Sequence, residues 1–191
     1  MNRYRYILAS GSPRRRELMG MLDVDFRVDT SRGVDEVVPA GTPAAEVPAF
    51  LSRLKAGPYL ADLADDEVLI TADTVVILDD EVIGKPRDPE DARRILRRLQ
   101  GRTHRVITGV SIGRKGQPLE TFTDITEVDF DPLSDAEIDY YVSRYAPLDK
   151  AGAYGIQEWI GAAAVAGIRG SFYNVMGLPI HRLYSALKAL G

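Results

Sequence analysis

Val68-Leu69-Ile70-Thr71-Ala72-Asp73-Thr74-Val75-Val76-Ile77-Leu78 is almost continuous in apolar and β-branched residues, the pattern of a central strand covered on both faces. Asp79-Asp80 breaks the run and Glu81-Val82-Ile83-Gly84 returns. This reads as a hairpin with a two-residue turn, its far arm ending at Lys85-Pro86-Arg87. A hairpin on such a strand rules out an all-parallel sheet. Helical patterns alternate with strands along the chain, so the expected class is mixed α/β.

Working outward, Asp88-Pro89-Glu90-Asp91 supplies an N-cap, a first-turn proline and acids at the positive end of a helix. Ala92, Ile95, Leu96 and Leu99 follow at helical spacing, and Gly101 stops the helix. Its other face carries Arg93, Arg94, Arg97 and Arg98, expected to be a solvated surface rather than a nucleic-acid patch. Arg105–Ile112 and Glu120–Phe130 read as two strands paired around a Lys115-Gly116 turn. Ser134 caps an amphipathic helix from Asp135, and Pro179–Leu190 closes the chain as another helix. Thr42–Ala56 should be a helix ended by Gly57-Pro58; Pro48 requires that it start late or kink.

The 191 residues suffice for one full core, and one continuous domain over 1–191 is expected. Hydrophobic residues at 45% and charged residues at 27% suit an ordinary globular chain. Neither a membrane-length apolar run nor a secretion signal is visible, which predicts a cytoplasmic protein without a membrane partner. The absence of cysteine excludes disulfides, thiolate metal sites and a cysteine nucleophile. His104 and His181 lack ligand spacing, so any metal should be oxygen-ligated. A net charge of -4 argues against a broad nucleic-acid-coating face.

Three regions point to chemistry. In Leu8-Ala9-Ser10-Gly11-Ser12-Pro13-Arg14-Arg15-Arg16 a strand runs through a small-residue turn into a helix start. Ser12 as cap and Pro13 in the first turn would leave backbone N–H groups facing outward beside Arg14 and Arg15, either a socket for phosphate or simply a well-capped surface helix with solvated arginines. Asp73, a lone acid in an apolar strand, must be hydrogen-bonded internally, face a water-filled cleft or bind a cation. The hairpin register sets Thr74 opposite Lys85, with Asp73 adjacent across the pleat; a bulge would exchange the faces. Asp35-Glu36, in a loop after Gly33-Val34, offers the additional oxygen ligands a divalent ion needs. Lys55 is expected at a helix C-terminus, where the dipole favours a cation without any ligand. Lys150–Gln157 combines close-packing glycines with one amide, Gln157, able to read a planar ligand edge.

Taken together, Leu8–Arg15, Ala72–Val76, Gly84–Asp88, Gly101–His104, Asp149–Gln157 and Asn174–Pro179 resemble, in order and spacing, the Maf family of nucleoside triphosphate pyrophosphatases. The resemblance implies an elongated mixed β-sheet flanked by helices, folded as two lobes around a central cleft and related to the inosine triphosphatase type. It implies hydrolysis between the α- and β-phosphates of a nucleoside triphosphate with help from Mg²⁺ or Mn²⁺. Asp73 then takes the catalytic acid position, as general base or metal ligand, with Glu36 its acidic and metal-holding partner and Asp35 the nearby alternative. Lys55 and Lys85 match phosphate-facing lysines, and Ser12 with Arg15 belongs to the socket. Arg14, Thr74 and Gln157 fall where the branch acting on dTTP and UTP carries the same residues, which extends the expected substrates to modified uridine nucleotides. The chain departs from the family pattern at Pro48, Gly57-Pro58 and Glu158. The resemblance also suggests a homodimer. A rival reading is a nucleotide-binding regulator, since the family is associated with inhibition of septum formation and cell division. A third is an RNA-binding surface on the Arg93–Arg98 helix.

Overall fold

The computed structural model describes residues 3–191. Seven strands form one mixed sheet in the order β2-β1-β3-β5-β6-β7, with β4 paired to β3 off that path. The chain divides into two compact units: the part up to Thr74 with Thr108–Asp124 and Gly177–Gly191, and Val75–Ile107 with Ile125–Met176.

In the first unit, β1 (Arg5–Leu8) runs parallel to both β2 (Phe26–Val28) and β3 (Glu67–Leu78). The expected strand-to-helix turn is present: α1 (Pro13–Gly20) begins with Pro13, and the Ser12 hydroxyl accepts the Arg15 N–H at 3.4 Å. Helix α2 (Val47–Leu60) follows a short 3-10 turn over Ala44–Glu46. The helix therefore starts late, and Pro48 sits in its first turn, where a missing N–H removes no helical bond.

Helix α2 does not stop at Gly57-Pro58 as expected but continues to Leu60. An interior proline costs about 3 kcal/mol. Residues on both sides of it pack on one cluster: Ala56 and Tyr59 are buried with Ile7, Leu63 and Leu69, and Leu60 leans on the same group. Burial at about 2 kcal/mol for each large side chain outweighs the defect. The extension places Lys55 in the helix interior rather than at its end. The closing helix, α7 (Ile180–Ala189), also belongs to this unit.

The second unit begins with the end of β3 and the hairpin. Strand β4 (Glu81–Ile83) pairs antiparallel with β3 in the register Val76↔Ile83, Ile77↔Val82 and Leu78↔Glu81. Asp79 and Asp80 both have positive φ, 50° and 63°, as a two-residue hairpin turn of matching twist requires. Helix α3 (Pro89–Leu99) is capped by Asp88, whose side chain accepts the Asp91 N–H at 2.8 Å. α4 (Asp135–Tyr145) starts in a complete Ser134/Glu137 capping box. The arginines of α3 are not simply solvated: Arg93 and Arg97 reach Asp139 and Asp135 on α4, Arg94 reaches Asp91, and Arg98 reaches Glu81.

The long strands β5 (Thr103–Arg114) and β6 (Glu120–Phe130) are sheet neighbours, and β7 (Val165–Arg169) pairs antiparallel with β6. α5 (Trp159–Ala164) and α6 (Phe172–Met176) complete the unit. Asn174 fastens α6 through its side-chain N–H to the Val106 carbonyl at 3.1 Å and Thr126 Oγ1 at 2.9 Å. Among the described residues no helix is long and apolar enough to cross a membrane.

Candidate active site

Strand β3 buries almost every side chain along its length, including Asp73, which retains 8% exposure. An uncompensated carboxylate there would be costly. The compensation comes from α2: Lys55 Nζ donates to Asp73 Oδ1 at 2.6 Å. The same ammonium lies 3.1 Å from Glu36 Oε2 in the loop after β2. Lys55 thus bridges two acids, one nearly enclosed and the other open, their side chains 12% and 49% exposed. Asp35, the alternative acid, is exposed, and Glu36 is the one on Lys55.

Burial raises the Asp73 carboxyl above its ordinary value, with Lys55 and Arg15 opposing. The net direction is upward, toward a group that accepts a proton more readily.

Lys55 is aimed by the way α2 meets the sheet. Gly109 on β5 faces the start of α2 so closely that a Cβ there would lie 2.4 Å from the Pro48 carbonyl carbon and 2.5 Å from the Ala49 nitrogen. One turn before Lys55, Ser52 Oγ meets Ser111 Oγ at 2.8 Å, and Ser111 Oγ meets Thr121 Oγ1 at 2.9 Å. Thr71 Oγ1 donates to the Ser52 carbonyl at 2.7 Å, two residues before Asp73 on the same strand. Backbone contact and a buried hydroxyl chain therefore fix the helix that carries Lys55 against β5 and against β3, the strand that carries Asp73.

The expected socket has a different interior. Its amides are partly capped from within: the Ser12 N–H donates to Ser10 Oγ at 3.3 Å, and that of Arg15 to Ser12 Oγ. The Arg15 guanidinium points inward, donating from Nε to the Gly177 carbonyl at 2.8 Å and from Nη1 to the Ala72 carbonyl at 2.8 Å and Ser10 Oγ at 3.4 Å. From Nη2 it reaches Thr74 Oγ1 at 3.1 Å, so four of its five N–H donors are engaged. Thr74 Oγ1 also meets Thr108 Oγ1 at 2.9 Å and the Gly177 carbonyl at 3.4 Å. Arg15 and Thr74 thus brace the backbone on both sides of Asp73. Arg14 is partly buried beside them in sequence.

The remaining two candidates belong to the second unit. Lys85 is exposed, just beyond the end of β4, so the register that would face it to Thr74 is not continued by a ladder. The Gly84 carbonyl before it accepts the Gly152 N–H at 3.1 Å. Gln157 is exposed at the end of the otherwise enclosed stretch Gly152–Ile156.

Among the described residues no three or more His, Cys, Asp or Glu side chains gather as a metal cage. Asp73 and Glu36 nevertheless reach one common cation, Lys55 Nζ, and two carboxylates completed by phosphate oxygens and water are a donor set suited to Mg²⁺. The residues fit such an ion.

The profile of the Maf-like protein family matches residues 5–190. The chain belongs to the Maf family. Among curated relatives of this Maf chain, the "dTTP/UTP pyrophosphatase" of Bacteroides thetaiotaomicron is 52% identical over 190 residues, covering 100% of this chain and 98% of that protein. The protein of the same name from Phocaeicola vulgatus is 50% identical with the same coverage. One from Porphyromonas gingivalis is 50% identical over 193 residues, covering 100% of this chain and 96% of the relative. Among solved structures, the "Nucleoside-triphosphatase / dITP/XTP pyrophosphatase" of Mycobacterium abscessus aligns with a TM-score of 0.49 at 14% identity, over 98% of this chain and 97% of that one.

Within this Maf chain, sequence reasoning missed Ser52, Ser111, Thr121 and Thr108, whose role arises from contacts between distant segments. Gly109 gave a signal, a glycine inside a β-branched run, which marks a strand position where another backbone comes close.

Proposed function

We propose that this protein hydrolyses dTTP and UTP, and modified pyrimidine nucleotides of the same base edge, to the nucleoside monophosphate and pyrophosphate. The whole chain works as one Maf-type catalytic domain in this reading. The observation that carries it is the Glu36–Lys55–Asp73 cluster: an enclosed acid and an open one share a lysine. Simple capture of an anion needs only donors, and two carboxylates there would repel it. The same cluster favours catalysis over the regulator reading. The full-length relatives named dTTP/UTP pyrophosphatase support the substrate class.

Asp73 and Glu36 are the residues that would hold a divalent cation; when bound, such an ion supplies charge neutralisation on the triphosphate and Lewis-acid activation. Asp73, its carboxyl raised by burial, orients a water and accepts its proton as the water oxygen bonds to the α-phosphorus and the bond to the α,β-bridging oxygen breaks. Pyrophosphate leaves with that oxygen. Lys55 has three N–H donors and two carboxylate partners, leaving one donor for a phosphate oxygen. Lys85, exposed on a long stem, adds a mobile charge for the leaving group, and Ser12 and Arg14 at the start of α1 add polar contacts to the phosphates. Arg15 contributes by holding the Ala72 carbonyl and the Thr74 hydroxyl, on either side of Asp73, and by its charge. Gln157 reads the base through its amide.

The test is a product assay on the purified protein with dTTP or UTP and Mg²⁺. Equimolar monophosphate and pyrophosphate are expected; orthophosphate as the product, or binding without turnover, would overturn the proposal.

A further inference from the structure

Gln157 is not on a loose loop. The Glu158 N–H donates to the Gly155 carbonyl at 3.0 Å, closing a turn in which Ile156 is buried and Gln157 is the exposed third residue. The Glu158 side chain folds back over this turn. It accepts a short hydrogen bond from the Tyr141 hydroxyl of α4 and lies 3.1 Å from Lys150 Nζ. The Tyr141 oxygen in turn accepts the Gly155 N–H at 3.0 Å, so both ends of the turn are tied to one buried tyrosine.

Two glycines make this clasp possible. A Cβ at Gly155 would lie 2.8 Å from Glu158 Cδ and 3.0 Å from Lys150 Cε. At Gly161, on α5, it would lie 1.7 Å from the Ile156 carbonyl oxygen. The turn is therefore packed from below by backbone and from the side by a charged hydrogen-bonded group, with Gln157 alone facing out. Enclosing a carboxylate and a lysine is costly compared with apolar packing, and what such a pair supplies is one defined geometry. A side chain presented from a fixed backbone loses less freedom on binding and discriminates more sharply between ligand edges.

We infer that Glu158 is a positioning residue for base selection: with Tyr141 and Lys150 it fixes the turn from which the Gln157 amide meets the imide edge of a uracil or thymine. This rests on the reading of Gln157 given above. Loosening the clasp leaves the phosphate-handling groups in place and weakens the preference for an imide edge over the amino-substituted edge of cytosine.

The experiment compares kcat and KM for UTP and CTP in the wild type, Gln157→Ala, Glu158→Ala, Glu158→Gln and Tyr141→Phe, with circular dichroism to confirm folding. Glu158→Ala should lower the UTP-over-CTP ratio of kcat/KM by about fivefold to tenfold, mainly through a higher KM for UTP. Glu158→Gln, which can still accept from Tyr141, should recover part of the ratio. If Glu158→Ala does not fold, Tyr141→Phe and Glu158→Gln carry the comparison. An unchanged ratio in the clasp variants alongside a collapsed one in Gln157→Ala overturns the clasp, as does an equal loss of kcat for both nucleotides. An unchanged ratio in Gln157→Ala itself instead overturns the assignment of base reading to Gln157.

Discussion

Asp73 sits where two demands meet, since an enclosed carboxylate resists ionisation and a neighbouring ammonium offsets only part of that resistance. Replacing it with asparagine keeps the volume and removes the charge that Lys55 needs. Asp73→Asn should remain folded by circular dichroism while pyrophosphate release falls by about 10²- to 10⁴-fold, the scale of a lost general base. Near-normal turnover in the folded variant would remove Asp73 from its role. This residue was visible in the sequence because nothing else in Val68–Leu78 is charged. Arg15 was visible as a residue but not in its direction. Its guanidinium turns inward because the Ala72 and Gly177 carbonyls and Thr74 hydroxyl converge there, and none of these is near it in sequence.

At the scale of elements, α2 carries Lys55 and β5 sets the position of that helix. The boundary of α2 was the least legible feature: local propensity favours a stop at Gly57-Pro58, and packing of Tyr59 and Leu60 overrides it. The Asp79-Asp80 hairpin, the Ser12, Asp88 and Ser134 caps and the late start of α2 all follow from local rules, and the sheet class followed from the hairpin. Gly109 tests the dependence of α2 on β5. A methyl group there cannot coexist with the Pro48 and Ala49 backbone, so Gly109→Ala must push the helix outward. The expected cost is about 1–3 kcal/mol in chemical denaturation, as for an overpacked core. Hydrolysis should drop out of proportion to the stability lost, because Lys55 moves with the helix. Unchanged stability and rate in Gly109→Ala would contradict this account of how α2 is placed.

For the molecule as a whole, acid sensitivity has an identifiable origin in the second unit. His104 is buried among Phe130 and Tyr154, its Nε2 2.7 Å from the Tyr154 hydroxyl, and burial holds its ring down to about 4. The unfolded chain therefore takes up this proton near pH 6.5 and the folded one only near 4. Stability is fully present above pH 6.5, declines as the pH falls toward 4 and levels off below. The loss attributable to this group is about 3 kcal/mol. The carboxylates held lowest, Asp29 and Asp91 at about 2, titrate beneath that window. Urea midpoints measured from pH 7.5 to 4.5 should fall in the wild type and flatten in His104→Phe; parallel curves would refute the assignment.

The guanidinium of Arg15 is ringed by neutral carbonyls and hydroxyls, with no carboxylate among the hydrogen-bond acceptors found for it. Dipoles can hold a cation in place without cancelling it. In a molecule of net charge -4, Asp73 and Glu36 act on that charge through space and offset part of its field, so what remains draws a polyanion only over a short range, and added electrolyte would weaken it further.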